Sequence, residues 1–171
     1  MDGAFLLLRL VHVLGGMFWV GAVLMTVFFL FKVVADMGPA GGQVTGGLMK
    51  HRYFDVLPAI ALLTVLSGID LLRRVSGGFQ PAYMGSPIGI TYSIGALAGL
   101  LALAVGVGVG RRMTVKALAL GKELAAMPDG PDKAARMAEL GTLRARSQMA
   151  LRVAALLLVI ASVCMAIARY V

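Results

Sequence analysis

The sequence predicts an all-α membrane protein built as an antiparallel bundle of four transmembrane helices. Of its 171 residues, 60% are hydrophobic and only 14% are charged, and the mean hydropathy of +0.90 lies far above that of ordinary soluble domains. Four separate stretches reach the length of about 20 mostly apolar residues that a bilayer-spanning helix needs. These stretches cover residues 6–31, 53–72, 87–110 and 151–168. We therefore expect one membrane domain over residues 1–171.

Spans one and two carry local features beyond their apolar length. Span one is too long for the apolar core of a signal peptide, and neither a clear basic leader nor an obvious cleavage site accompanies it. We therefore expect span one to remain in the mature chain. Span two contains Pro58, which predicts a kink. Asp55, just before this proline, is expected to accept a hydrogen bond from Arg52 or Arg112.

Span three contains two pairs of small residues four positions apart, a spacing that lets helix backbones approach closely in lipid. These residues are Gly95, Gly99, Gly106 and Gly110. They predict either packing within the bundle or contact with a second copy or another membrane protein. The main partner in either case is the lipid bilayer.

The two longer links differ in character. The glycine-rich link 33–49 matches no phosphate-loop spacing, so we expect a flexible connection. The link 111–148 mixes basic and apolar residues and is broken by the turn sequence at 127–131. Its apolar residues at helical spacing are Leu120, Leu124 and Met127 before the break, and Met137, Leu140 and Leu143 after it. We expect a cytoplasmic helical hairpin over 111–148, whose charges form a solvated face or bind anionic lipid or a partner.

The basic residues fall unequally on the two sides of the predicted bundle. The side with both termini carries Arg9, Arg73, Arg74 and Arg169. The other side carries Lys32, Lys50, Arg52, Arg111, Arg112, Lys116, Lys122, Lys133, Arg136, Arg144, Arg146 and Arg152. By the positive-inside rule the second side faces the cytoplasm, which places both termini in the periplasm of a bacterial inner membrane. The net charge of +8 then reflects orientation, and we expect no nucleic-acid partner.

His12 is the strongest candidate for a functional residue, because an ionisable side chain inside a span is costly. It lies about two turns into span one from the periplasmic end. The residues that share its helical face are Arg9, Gly15, Gly16 and Trp19. The glycines leave room for a planar macrocycle or for a neighbouring helix, and Arg9 is placed to meet a haem propionate. Trp19 either stacks on a cofactor or packs in the bundle core.

A haem iron bound by His12 requires us to consider a second axial ligand. His51 lies on the order of 20 Å away along the bundle axis at 1.5 Å per residue, so one haem cannot use both histidines. Met165 in span four lies at the depth of His12, and a His–Met pair is a known axial arrangement. Arg169, one turn further out, is a candidate for a second propionate. Five-coordinate iron and a purely packing role for Met165 stay open.

The stretch His12-Val-Leu-Gly-Gly-Met-Phe-Trp-Val-Gly21 resembles the first span of CopD-like copper-resistance proteins and of the HemJ-type protoporphyrinogen oxidases. In span two, Arg52, the pair Pro58-Ala59 and Gly68 are similar to the HemJ-type pattern. The resemblance covers less than half of the chain. It implies a four-helix membrane bundle in which His12 is the ligand of haem or copper.

Three functions are consistent with these observations. The first is a b-type haem protein for redox chemistry or electron transfer, with its haem near the periplasmic face. The second is a CopD-like copper-handling protein, and the third is a cofactor-free accessory subunit of a larger membrane complex. The sequence contains no Ser-His-Asp constellation, paired catalytic carboxylates or nucleotide fingerprint, which argues against hydrolytic chemistry. With one cysteine and two histidines it has too few ligands for a structural zinc cluster.

Overall fold

The computed structural model describes residues 2–171, and the side chains of all of these except Pro39. No residue in that range lies in a β-strand. The helices are α1 Gly3–Met25, α2 Phe31–Asp36, α3 Gly41–Lys50, α4 Tyr53–Val75, α5 Pro81–Met84, α6 Pro87–Val105, α7 Arg112–Ala126 and α8 Pro131–Ile167. One wide π-helical turn, Thr26–Leu30, joins α1 to α2, and another, Gly106–Arg111, joins α6 to α7.

Four continuous helical stretches are long and apolar enough to cross a membrane, which confirms the predicted all-α polytopic fold. They are Gly3–Asp36, Tyr53–Val75, Pro87–Ala126 and Pro131–Tyr170. The last two contain 40 residues each. At 1.5 Å per residue each is about 60 Å long, twice the thickness of a bilayer's hydrocarbon core. They therefore extend beyond the membrane at one end of the bundle, where they form the predicted helical hairpin.

The hairpin is held by an apolar seam between α7 and α8. Its buried residues are Ala117, Leu120, Leu124 and Leu140, with Met127 and Leu143 packed against them. Met137, which the spacing also placed on this face, is exposed. The chain reverses at Pro128–Gly130, where Lys133 Nζ donates to the Met127 carbonyl at 3.1 Å and to Asp129 Oδ1 at 2.8 Å. We call this end of the bundle the hairpin end, and the end with both chain termini the terminal end.

The transmembrane part consists of two closely packed helix pairs, α1 with α4 and α6 with α8. Where the pairs meet, the buried residues are mostly small. Gly95, Gly106 and Gly110 of the third span lie against α8 of the same chain. A side chain at Gly95, for example, would lie 3.0 Å from Cys164 Cβ. These three glycines therefore serve close packing inside the bundle, as small residues do in lipid.

The link after span one is helical, so the expectation of a flexible connection is wrong. Residues 31–36 and 41–50 form α2 and α3, and a 3₁₀ turn lies between them. Gly41 allows the turn because its backbone lies directly against the Val34 carbonyl, where a side chain would collide. Close packing thus explains Gly41, whereas Gly42, Gly46 and Gly47 have open space around them.

Arg111 joins the two helix pairs at the hairpin end. Pro58 has no backbone N–H, so the Phe54 carbonyl one turn earlier lacks its helical donor. Arg111 Nε supplies that hydrogen bond at 2.7 Å, and its terminal nitrogen bonds Asp55 Oδ1 at 2.6 Å. The expectation that Asp55 pairs with Arg52 or Arg112 is therefore wrong.

Hydroxyl groups extend these connections to the remaining helices at the hairpin end. Thr26 Oγ1 donates to the Ala22 carbonyl and lies 3.0 Å from the Tyr53 hydroxyl, which links α4 to the first span. Ser147 Oγ of α8 lies 2.6 Å from Thr114 Oγ1 of α7. All four membrane-crossing stretches are thus tied together at this end.

Candidate functional site

A cavity of about 790 Å³ lies between the two helix pairs at the terminal end. Its volume is typical of a site for a small molecule or cofactor, for which 300–1,000 Å³ is usual. Residues of α1, α4, α6 and α8 form its wall. Five of the seven residues predicted for the site line it, namely Arg9, His12, Gly16, Trp19 and Met165. Gly15 and Arg169 do not.

The His12 imidazole is fixed by a backbone carbonyl. Its Nδ1 lies 2.8 Å from the Thr64 carbonyl oxygen of α4. Because a carbonyl only accepts, Nδ1 carries the proton in this contact, and in the neutral imidazole Nε2 then keeps its lone pair. Within residues 2–171, Nε2 has no hydrogen-bond partner. An Nδ1–H bond to a backbone carbonyl is the arrangement in which a histidine presents Nε2 to a metal.

Gly68 makes room for this histidine. A side chain at Gly68 would lie 2.6 Å from Cε1 and 2.9 Å from Nδ1 of His12. The Thr64 carbonyl also accepts from Ser67 Oγ at 3.0 Å, while Thr64's own hydroxyl donates to the Ile60 carbonyl. Thr64 and Ser67 thus bond to the α4 backbone around the carbonyl that holds the ring.

The two predicted glycines of α1 have different roles. A side chain at Gly15 would lie 2.5 Å from Thr64 Oγ1, so Gly15 permits the close approach of α1 and α4. At Gly16 the nearest atom would be Thr64 Cγ2 at 3.6 Å, an ordinary contact, and Gly16 lies on the cavity wall. One glycine therefore packs the helix that holds His12, and the other leaves the cavity open beside it.

Arg9 lies at the cavity wall without an acidic partner in the part of the chain that the structure describes. Two carboxylates lie at this end of the bundle, and both are bound by other arginines. Asp70 accepts from Arg73 at 2.8 Å and from Arg74 at 2.9 Å, and Asp2 lies 3.4 Å from Arg74. The Arg9 guanidinium is therefore available to an anion supplied by an occupant of the cavity.

Met165 and Arg169 of the C-terminal region are placed differently. Met165 lines the cavity, and its methyl group lies against Gly95, where a side chain would come within 3.1 Å of it. Arg169 is exposed in the final turn, with its guanidinium 5.0 Å from the centre of the Tyr170 ring. The structure thus brings Met165 to the same cavity as His12 and leaves Arg169 outside it.

Trp19 forms the floor of the cavity. It is only 6% exposed, and it also borders a second, smaller cavity of about 70 Å³ toward the hairpin end. Polar side chains of Thr26, Tyr53, Arg111 and Thr114 line that smaller cavity. The Trp19 indole therefore borders both cavities.

Two further residues of the wall lie outside the predicted set of site residues. Tyr92 of α6 is half-buried at the cavity, and its hydroxyl has no hydrogen-bond partner within residues 2–171. Met17 of α1 adds a second thioether. The signal for Tyr92 was its helical spacing with Gly95 and Gly99, which line the same wall. Met17 carried no such signal, because it lies about 140° around the helix from His12 and is exposed.

Other ligand sets are absent from the described part of the chain. Over residues 2–171, no three side chains of His, Cys, Asp or Glu lie close enough to hold a metal together. His51 is exposed at the end of α3, on the hairpin end, and does not reach the cavity. His12 is therefore the one histidine of residues 2–171 that lines the cavity.

Comparison of the chain with models of protein families, with curated proteins and with solved structures finds no match. The resemblance of spans one and two to CopD-like and HemJ-type proteins stays a prediction.

Proposed function

We propose that this protein is an integral membrane b-type haem protein that serves redox chemistry or electron transfer. The observation that carries the proposal is the His12 imidazole, whose Nδ1–H bonds the Thr64 carbonyl and whose Nε2 is free beside a cavity of about 790 Å³. When bound, haem supplies a one-electron redox couple whose potential depends on its axial ligands and surroundings.

The cavity offers the kinds of side chain that hold a haem, namely an imidazole, a thioether and an unpaired cation. His12 would hold the iron through Nε2, and the Thr64 carbonyl, which accepts from Nδ1, would fix the ring in the tautomer this needs and raise its basicity. Met165 is the candidate for the second ligand. Arg9 is the partner for a propionate, because no carboxylate of residues 2–171 neutralises it. Arg169 would have to leave Tyr170 to hold a second propionate.

We test the ligand by absorption spectroscopy on detergent-purified protein from haem-replete cells. The wild type is expected to show a Soret band and a sharp reduced α-band, and His12→Ala to lose both while still inserting. His51→Ala, an exposed histidine at the other end, is the matched control and keeps the spectrum. Stoichiometric haem in His12→Ala would show that the ligand assignment is wrong.

Met165 is tested in the same way, with Met149→Ala as the control because Met149 lies on the same helix and is exposed. Met165→Ala is expected to convert a low-spin spectrum to a high-spin one. An unchanged low-spin spectrum would exclude Met165 as the axial partner and leave His12 assigned.

The proposed location is the inner membrane of a bacterium, with both termini in the periplasm and the hairpin in the cytoplasm. Its support is the excess of basic residues at the hairpin end. Gly130 has an extended backbone that any residue can adopt, so a single cysteine there, in a Cys164→Ala background, is a suitable label. Labelling of this cysteine from the periplasm would show that the proposed orientation is the wrong way round.

A copper-handling protein is the second candidate, because the thioethers of Met17 and Met165 lie on the same cavity wall as His12. Thioether and imidazole are a ligand set that suits Cu(I). A colourless preparation that contains copper, lost in His12→Ala and in Met17→Leu, would favour this function over haem. A native preparation with neither cofactor would favour the accessory subunit, with a second copy or another membrane protein as its partner.

A further inference from the structure

The polarity of the large cavity changes along its depth. Arg9 lies toward the terminal end, one turn inside the lining residue Phe5, and Trp19 lies ten residues deeper on the same helix, about 15 Å further in. Between and around them the wall is mainly apolar, and Arg9 is the one Lys, Arg, Asp or Glu that lines it among residues 2–171. An unpaired cation at the mouth of an apolar cavity favours an occupant with an anionic head and an apolar body.

The wall of the cavity continues onto the lipid-facing surface of the bundle. Five apolar residues that line it are also between 41% and 69% exposed, namely Val13, Met17, Ile69, Val75 and Leu100. At the terminal end, no side-chain hydrogen bond or ion pair within residues 2–171 joins the α1–α4 pair to the α6–α8 pair. A molecule dissolved in the bilayer can therefore reach the cavity sideways without breaking a polar contact.

We propose that, when no porphyrin is present, this cavity takes up an anionic amphiphile from the bilayer. Its carboxylate or phosphate head pairs with the Arg9 guanidinium, and its acyl chain lies along the apolar wall toward Trp19. The head then lies at the depth of the neighbouring lipid headgroups. This site goes beyond the haem function and does not depend on it, because it requires Arg9 but not His12, whereas haem binding requires the His12 ligand as well.

Trp19 gives a direct readout of occupancy. It is the one tryptophan in the chain, and at 6% exposure it has little contact with the surrounding lipid. Bromine quenches indole fluorescence only at short range, so a brominated chain quenches Trp19 strongly when it enters the cavity. Quenching by bulk lipid provides the background.

The experiment uses the full chain, freed of any porphyrin, in phosphatidylcholine vesicles. Brominated fatty acid, brominated phosphatidylglycerol and brominated phosphatidylcholine are added separately. At least one anionic probe is expected to quench Trp19 at about one-tenth of the mole fraction that phosphatidylcholine needs, the ratio given by one charge-assisted hydrogen bond. Quenching by the fatty acid alone identifies a carboxylate head, and quenching by phosphatidylglycerol alone identifies a phosphate head.

Variants assign the effect to the guanidinium. Arg9→Gln is expected to remove the preference for anionic probes, Arg9→Lys to retain most of it, and His12→Ala to leave it unchanged. Arg144→Gln, an exposed cation on the hairpin, is the control. Equal quenching by all three probes, or a preference that survives Arg9→Gln, would overturn the proposal. Loss of haem binding in His12→Ala leaves this result unaffected, so the two proposals fail separately.

Discussion

The two ends of this bundle use polar side chains in opposite ways. At the hairpin end, side chains form hydrogen bonds between neighbouring helices, namely those of Arg111, Tyr53 and Ser147. The cavity between the helices there is only about 70 Å³. At the terminal end, the bonds of His12 and Arg74 stay within the α1–α4 pair, and a cavity of about 790 Å³ lies between the pairs. We call the hydrogen-bonded contacts between helices at the hairpin end the clamp, and the helices around the large cavity at the terminal end the receptacle.

Replacing Arg111 is expected to break the clamp and to have the largest effect on stability. Arg111→Leu leaves the Phe54 carbonyl without a donor, because Pro58 cannot supply one, and leaves Asp55 unpaired. An unmet buried acceptor costs about 1–3 kcal/mol, and the partly exposed ion pair adds less than about 1 kcal/mol. We expect a loss of about 3 kcal/mol in unfolding measured in detergent micelles.

Arg112→Leu is the matched control for that measurement. Arg112 is the next residue, is exposed, and has no carboxylate within 4.0 Å in the part of the chain described by the structure. We expect it to change stability by less than about 0.5 kcal/mol. Equal losses in the two variants would show that the carbonyl of Phe54 does not need Arg111.

Filling the space beside His12 is expected to damage the receptacle and leave the clamp intact. The methyl group of Gly68→Ala would lie 2.6 Å from His12 Cε1, so the ring must move and its bond to the Thr64 carbonyl weakens. Overpacking of this kind costs about 1–3 kcal/mol. We expect about 2 kcal/mol in unfolding, together with weaker cofactor binding in a spectroscopic titration.

Gly21→Ala provides the comparison, because Gly21 also lines the cavity but has nothing within 4 Å of the added methyl group. There the gain in helix propensity should leave stability equal or slightly higher. If both variants bind the cofactor like the wild type, the close contact between Gly68 and the imidazole has no role in the site.

Ser147→Ala is expected to loosen the clamp more gently than Arg111→Leu. It removes the hydroxyl that bonds the Gly110 carbonyl at 3.2 Å and contacts Thr114 Oγ1 at 2.6 Å, but Thr114 keeps its own bond to Gly110. A net hydrogen bond contributes about 1 kcal/mol. Thr142→Ala, on the exposed face of the same helix, is the control. A loss no larger than that of the control would exclude a clamping role for Ser147.

The smallest effect is expected for the pH dependence of the Lys133–Asp129 ion pair at the tip of the hairpin. Lys133 donates to Asp129 and holds the pKa of that exposed carboxyl below its ordinary value of 3.8. Since the folded-state pKa is depressed, this contribution is complete above the ordinary pKa and is lost as the pH falls through the lower, folded value. NMR titration of Asp129 should therefore give a pKa below 3.8 in wild type and a normal one in Lys133→Ala. A normal value in both would contradict the contact.

The fold could be predicted because the bilayer imposes length and apolarity on every span, and both are legible in the sequence. Part of the site was equally legible, since helical periodicity along one span places Arg9, His12, Gly16 and Trp19 on one wall. The Thr64 carbonyl that orients His12 belongs to the backbone, so no residue type in the sequence indicates it.

The partner of Asp55 was missed for a different reason. The prediction considered the arginine before α4 and Arg112, whereas Arg111, the last residue of the π-helical turn 106–111, is the one that reaches Asp55. Arg112, the next residue, is exposed. Arg52 is also diverted, because it adopts a left-handed backbone before α4 begins. Such local changes of helix type leave no clear pattern in a single sequence.

Trp19 has a consequence for the membrane as a barrier. The two cavities that it separates together cover residues 5–26 of the first span, about 32 Å along its axis, which is the thickness of the hydrocarbon core. Lipid provides no insulation inside a bundle, so the resistance to water and ions along this path is set by side chains. Where the two cavities meet, the buried Trp19 ring, packed with Val23 and Leu158, therefore forms part of the barrier that closes this path.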